Sequence, residues 1–184
     1  VSAVFDAISS RRSHAAVTAD APGRAEVLTL LGAAARAADH GALRPWRVIE
    51  LRGGARAALG EALVAAAGIE GPTAAKLAGK PLRAELLLAV VASRQRSSTV
   101  PHWEQDAAAA GVAHLLSLLL DDAGWGVMWR TGSHTRSQPV RRLHGLADTE
   151  ELLGWLYVGG VPQAAKTAVR PTVDPGAYLS ALPA

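Results

Sequence analysis

The chain contains no cysteine. Disulfides, thiolate metal sites and a cysteine nucleophile are therefore excluded, and the composition suits a reducing cytosol without demanding one. Aromatic residues are scarce at 4%, but unevenly so: five Trp stand against two Tyr and one Phe. Trp stacks well and keeps an N–H donor. No apolar run reaches the ~20 residues that span a bilayer. The longest, "AAAAGVAHLLSLLL", is broken by His114 and Ser117. The opening "VSAVFDAISSRRSH" has no charged head followed by an apolar stretch, so it is not read as a secretory leader, and no membrane association is expected. Phosphate loops, a Gly-x-Gly-x-x-Gly turn, His-Glu-x-x-His and a nucleophile elbow are all missing, and no metal-ligand set is expected. Glu104 and Asp106 make no acid–base pair, because i, i+2 residues point apart on a helix. An enzyme built this way needs a cofactor to carry its chemistry.

What is present is a globular composition. The 184 residues are 49% hydrophobic and 19% charged, about the size of one ordinary domain covering residues 1–184. The net charge of +3 and pI of about 9.8 come mostly from scattered Arg. Arg suits two-pronged binding of a small anion. Nucleic-acid binding is not expected, since no basic run interleaved with aromatics occurs.

Periodicity predicts a short helix over 2–10, with Val4, Phe5 and Ile8 on one face. A second helix is read over 24–39, with a stripe of Val27, Leu28, Leu31, Ala35 and Ala38. A strand follows at 46–51 and a helix at 55–67. "GIEGPTAAKLAGKP" reads as a long connection with a helical turn at most. "AELLLAVVAS" fits a buried strand or helix by period alone; its length and Val90–Val91 favour a central strand. The longest helix covers 103–123 and is apolar nearly all round, as in a core or against a partner chain. "GWGVMWRTGS" reads as a strand, 136–145 as a short helix, "ELLGWLYVGG" as a strand, and the Pro-spaced tail as an arm. The layout is α+β, a small sheet surrounded by helices.

Three groups of residues invite a functional reading. Arg11, Arg12 and Ser13 end the first helix. They either cap it, since cations suit a helix C-terminus, or offer charge-assisted donors to a phosphate. Arg36 and His40, four apart, would share one face of the second helix, capping its end or reaching a ligand. Trp129, Arg130 and Thr131 form a flat apolar wall with donors beside it, or simply a strand end meeting solvent. His102 reads as a surface loop residue, and His114 as a satisfied interior or interface histidine.

Five strings, in order and at matching spacing, resemble the FMN-dependent nitroreductase family, specifically its small single-domain bacterial branch: "SSRRSH", "AARAADHGALRPWRVIE", "VPHWEQDAAAAGVAHLLSLLLDDAGWGVMWRTG", "LLGWLYVGGVPQ" and the Pro-spaced tail. The resemblance implies an α+β sandwich with a small mixed or antiparallel sheet, forming a homodimer that exchanges its C-terminal arms and holds FMN at the interface. It implies that Arg11, Arg12 and Ser13 bind FMN, that Arg36 and His40 reach the FMN held mainly by the other subunit, and that Trp129, Arg130 and Thr131 lie along the flavin. The implied activity is a cytoplasmic NAD(P)H oxidoreductase that passes hydride by a ping-pong route to a nitroaromatic, quinone or similar small acceptor. The alternative is an FMN storage protein with little turnover. The chain departs from the family at Arg44, where an amide usually precedes Pro-Trp, and at Thr131, where close relatives often have Ser. Lys166 and Arg170 are the candidates for the tail Lys/Arg pair that larger members use on phosphate, and are left unassigned.

Overall fold

A computed structural model describes residues 2–163 and 171–182. Helix α1 (Ala3–Ser10) starts where the Ser2 hydroxyl accepts from the Phe5 N–H at 3.3 Å, a side-chain N-cap. Its apolar face forms as expected, yet no residue of α1 is buried, and Val4, Phe5 and Ile8 are 66, 58 and 55% exposed.

Helix α2 (Arg24–Ala34) is shorter than its sequence pattern. Ala35 falls to ψ −4°, and Arg36 N–H and Ala37 N–H bond to the carbonyls of Ala33 and Ala34. Such i→i−3 bonds tighten and close a last turn. Beyond Ala34 the only apolar side chains in the run are alanines, too little apolar surface to hold further turns against the core. The buried face is also rotated from the expected stripe: Val27 and Ala34 are buried, whereas Leu28 is 55% exposed. Arg36 therefore lies in a turn and His40 opens a separate 3-10 turn (His40–Ala42). The two do not share a helical face.

The remaining elements are β1 (Trp46–Leu51), α3 (Gly54–Ala67), α4 (Gly71–Ala78), β2 (Leu86–Ser93), α5 (His102–Asp122), β3 (Trp125–Arg130), α6 (Gln138–Leu143) and β4 (Glu150–Gly160). Where a connection was read, α4 and a 3-10 turn (Lys80–Arg83) form instead. Pro72 sits in the first turn of α4, where its missing N–H costs nothing. His102 is the first residue of α5 rather than a loop residue.

The sheet is antiparallel, in the order β1-β2-β4-β3. β2 and β4 are its interior strands, and in β2 Leu86 to Ala92 are all at 0% exposure. Alternation sends Leu86, Leu88 and Val90 to one face, against Val112, Leu116 and Leu120 of α5 and Val27 of α2. Leu87, Ala89 and Val91 face the other way, against Leu59 and Leu63 of α3 and Val140 of α6. In β4 the register with β2 skips Leu153, and Gly154 takes φ +138°. This bulge shifts the alternation by one residue. As a result Leu152 and Trp155 share one face, while Leu156 and Val158 join the other.

α5 is not buried all round. Val112, Leu116 and Leu120 are covered, but Trp103 is 69% and Leu115 37% exposed, and His114 is exposed between them. Among the described residues no helix is long and apolar enough to cross a membrane. In the tail, Tyr178, Leu179 and Leu182 are more than four-fifths exposed.

Candidate functional site

After α1 the chain crosses the outer edge of β3. His14 N–H donates to the Val127 carbonyl at 2.9 Å and Thr18 N–H to the Gly160 carbonyl at 2.8 Å. This path needs a flat floor, which the cross-strand pair Gly126 and Gly159 supplies. A Cβ on Gly126 would lie 2.9 Å from Val17 Cγ1, and one on Gly159 2.7 Å from the Thr18 carbonyl oxygen.

At the start of this crossing, Arg12 turns back on α1. Its Nη1 donates to the carbonyls of Ser9, Ser10 and Arg11 at 3.0, 2.7 and 2.9 Å, so the capping reading describes its terminal nitrogen. Arg11 Nη1 donates to Ser13 Oγ at 3.3 Å. Asp121, in the last turn of α5, lies 3.5 Å from Arg12 N and 3.6 Å from His14 Nε2.

The Trp129–Thr131 segment ends β3 beside this rim. Arg130 Nη2 donates to the Ala15 carbonyl at 3.3 Å, and its guanidinium carbon lies 5.1 Å from the centre of the Tyr157 ring. The segment presses on the Gly154 bulge: a Cβ there would lie 2.5 Å from the Arg130 carbonyl oxygen and 2.7 Å from Trp129 Nε1. His114 meets Trp129 edge-on at 5.0 Å, with no hydrogen bond of its own among the described residues. It is exposed, not a satisfied interior histidine.

Trp129, Arg130 and Thr131 line a cavity of about 490 Å³, within the range of small-molecule sites. Met128, Trp155 and Tyr157 supply apolar wall, and Lys80, Arg83 and His134 add cationic or titratable groups that sequence reading missed. Part of this was readable: Met128 pairs with Tyr157 and Arg130 with Trp155 across two antiparallel strands, so two-residue alternation places all four on one face. Lys80 and Arg83 gave no such signal, because they stand in a 3-10 turn. Burial pushes the Tyr157 hydroxyl pKa up, against the opposing pull of Arg130 and Arg83. Behind the wall, Trp155 Nε1 donates to His144 Nε2 at 3.1 Å, and His144 Nδ1 bonds to the Val140 carbonyl at 2.8 Å. Burial is the main force lowering the His144 pKa, and the neutral Nδ1–H form satisfies both bonds.

Four buried side-chain polar atoms among the described residues lack a hydrogen-bond partner: Arg12 Nε, Arg56 Nε, Trp129 Nε1 and Arg130 Nε. Three belong to the residues singled out from the sequence. Buried orphan donors are uncommon, and each calls for an explanation.

Arg36 and His40 lie elsewhere. Arg36 is exposed in its turn. His40 Nδ1 meets Glu104 Oε2 at 2.8 Å, in a shallow hollow shared with Trp103 and Gly111. Glu104 and Asp121 mark the two groups on α5, seventeen residues apart, or about 25 Å at the α-helical rise. One chain thus joins Arg11–Ser13 to Trp129–Thr131 through the Ala15–Arg130 contact and holds His40 far from the Arg11–Ser13 end. Lys166 and Arg170 lie outside the described residues.

Known proteins resemble this chain in sequence and in fold. The chain is 30% identical over 174 residues to the candidate NAD(P)H nitroreductase YdjA of Escherichia coli (strain K12), covering 93% of this chain and 94% of that protein. A nitroreductase-like family protein from Bacillus cereus superposes with a TM-score of 0.84 at 20% identity, covering 99% of this chain and 97% of its own. The FMN and NADPH-dependent nitroreductase NfnB from Sphigopyxis sp. strain HMH gives 0.76 at 19% identity, covering 99% and 100%. These two show the shared fold. The sequence model of the nitroreductase family matches residues 8–160, and the chain belongs to that family.

Proposed function

We propose that the chain is a nitroreductase-type oxidoreductase that binds FMN, is reduced by NAD(P)H and passes the electrons to a small acceptor such as a nitroaromatic or a quinone. One observation carries the FMN reading: of the four buried donors without partners among the described residues, three fall on Arg12, Trp129 and Arg130, in two segments that the Ala15–Arg130 contact joins. Unpaired donors, a flat indole and a cationic cavity fit an anionic, planar cofactor. Arg11, Arg12 and Ser13 would hold its phosphate. Trp129, Arg130 and Thr131 would lie along its ring system, and the cations of the cavity would favour groups that carry or gain negative charge. When bound, the flavin supplies the hydride chemistry, taking it from nicotinamide and giving it to the acceptor in two separate half-reactions.

The same reading makes the protein a homodimer. With its α5 contact about 25 Å from that of Arg12 and His14, His40 is too far to complete the site begun by Arg11–Ser13 of its own chain, and in this proposal His40 and Arg36 of a second copy would do so. The uncovered apolar residues of α1 and the tail, and Trp103 and Leu115 of α5, are what such a copy would bury. Residues 1–184 form one domain in this proposal. It works in the cytoplasm, where NAD(P)H is supplied.

The test is the visible spectrum of the purified protein, reconstituted with FMN where needed, then anaerobic addition of NADPH and of NADH. Flavin bands that bleach support the oxidoreductase; bands that persist with both nucleotides point to flavin storage; no binding at excess FMN rejects the cofactor site. Arg11→Ala should weaken FMN by roughly 10- to 100-fold, the equivalent of one charge-assisted hydrogen bond, measured by flavin fluorescence titration. Unchanged affinity would remove Arg11 from the phosphate clamp.

A further inference from the structure

Glu104 stands in the first turn of α5, where a carboxylate is favoured by the helix dipole alone. Its side chain does something else. The α5 N-terminus has no side-chain cap, and the Glu104 carboxylate reaches out to His40 Nδ1 at 2.8 Å. The His40 side chain is 62% exposed and that of Glu104 28%. A pair this open adds little to stability, so its effect is to order the imidazole.

The surroundings fix His40 from the other side as well. The Asp39 carboxylate accepts from the N–H groups of Leu43 and Arg44 at 3.2 and 2.7 Å, which locks the backbone of the turn. Gly41 takes φ +74° there, a conformation open to glycine. A carboxylate can only accept, so the His40 nitrogen facing it carries the hydrogen. Nε2 is then left as the nitrogen free to meet a ligand, in the hollow that exposed Trp103 also lines.

We propose that Glu104 is a positioning residue: it holds His40 in the Nδ1–H form with Nε2 free beside Trp103, as the edge that meets the flavin carried by a second copy of the chain. The inference rests on the flavin reading above, and two readouts separate them. The first is the ¹⁵N spectrum of the His40 imidazole at alkaline pH in flavin-free protein, assigned with His40→Gln. The second is FMN affinity by fluorescence titration.

Wild type should show Nδ1–H. Glu104→Ala should move the hydrogen towards Nε2 and weaken FMN by about tenfold, the loss of one oriented hydrogen bond. Glu104→Gln, whose amide oxygen still accepts, should restore both to near wild type. An unchanged tautomer in Glu104→Ala overturns the proposal, and it does so even if affinity falls, since the fall would then come from α5 itself. Unchanged affinity with an altered tautomer also overturns it, by showing that the flavin does not read His40 in that way. If wild type binds no FMN, the cofactor reading fails, and the tautomer measurement still decides what Glu104 does to His40.

Discussion

At the scale of single residues, backbone conformation and close approach decide what is tolerated. Arg44 sits at φ +48° and Ala42 at φ +51°, a region L side chains adopt only under constraint. The constraint on Arg44 is the Asp39 carboxylate on its N–H. Asn tolerates this conformation better, so Arg44→Asn should raise stability by roughly 0.5–1 kcal/mol in urea unfolding. A loss would mean that the guanidinium makes a stabilising contact. Gly154 is the opposite case. Gly154→Ala would place a methyl against the Arg130 carbonyl and the Trp129 indole at positive φ, at a cost of about 2 kcal/mol or more. A shift in tryptophan emission and weaker FMN retention should accompany it; a variant with wild-type stability and emission would show that the Trp129–Thr131 segment moves freely off the bulge. The sequence marks Arg44 as a departure from the family pattern and Trp129–Thr131 as a candidate wall. It could not show Gly154 as their support, because that contact joins β4 to the end of β3 through a bulge no periodicity reveals.

At the scale of elements, residues with strong local signals were readable and those set by tertiary packing were not. β1 was bounded correctly by Pro45 before it and the Gly53–Gly54 turn after it, and β2 by its apolar run. α2 reads longer in sequence than it is because Ala35–Ala38 suit a helix locally, while of these only Ala37 packs against the core, and only in part. The contact between Glu104 and His40 was hidden for a related reason: i, i+2 spacing correctly sends Glu104 and Asp106 apart, but where each goes depends on the loops they meet. Asp106 goes to Arg94, with two bonds of 2.8 Å. The apolar face of α1 was also readable, but not what covers it. On the dimer reading, Phe5→Ser with Ile8→Ser should shift the protein towards monomer in light-scattering chromatography and weaken FMN together with it. A double variant that stays dimeric would place the interface elsewhere.

At the scale of the whole molecule, the sheet is tied across its edge by Arg47, whose Nε and Nη2 donate to Glu150 at 2.7 and 2.8 Å. With the Ala147 N–H also on that carboxylate, Arg47 holds the Glu150 pKa down to about 2. Glu50 is lowered likewise, first by Arg52 and then by Arg24. Carboxylates with lowered folded pKa contribute stability above about pH 4.5 that is lost as pH falls towards 2, on the order of 2 kcal/mol for Glu150. His144, a base lowered from 6.5 by burial, contributes stability above that value and loses it as pH falls below. A melting temperature followed against pH should therefore decline in two stages, the first removed by His144→Gln and the second reduced by Glu150→Gln; a profile flat down to pH 3 would contradict both. The strand order has a consequence for how the chain is made. Among the described residues β4 is the last strand to be synthesised, yet it lies between β2 and β3. A nascent chain halted before Glu150 has β1 and β2 to pair and leaves β3 with no neighbour on the sheet, and without a settled β3 the crossing at His14–Thr18 has nothing to lie on. Domains of such non-local pairing fold late and expose strand edges meanwhile. Ribosome-held chains should stay open to protease until β4 has emerged, and then become protected together, from residue 14 to residue 160.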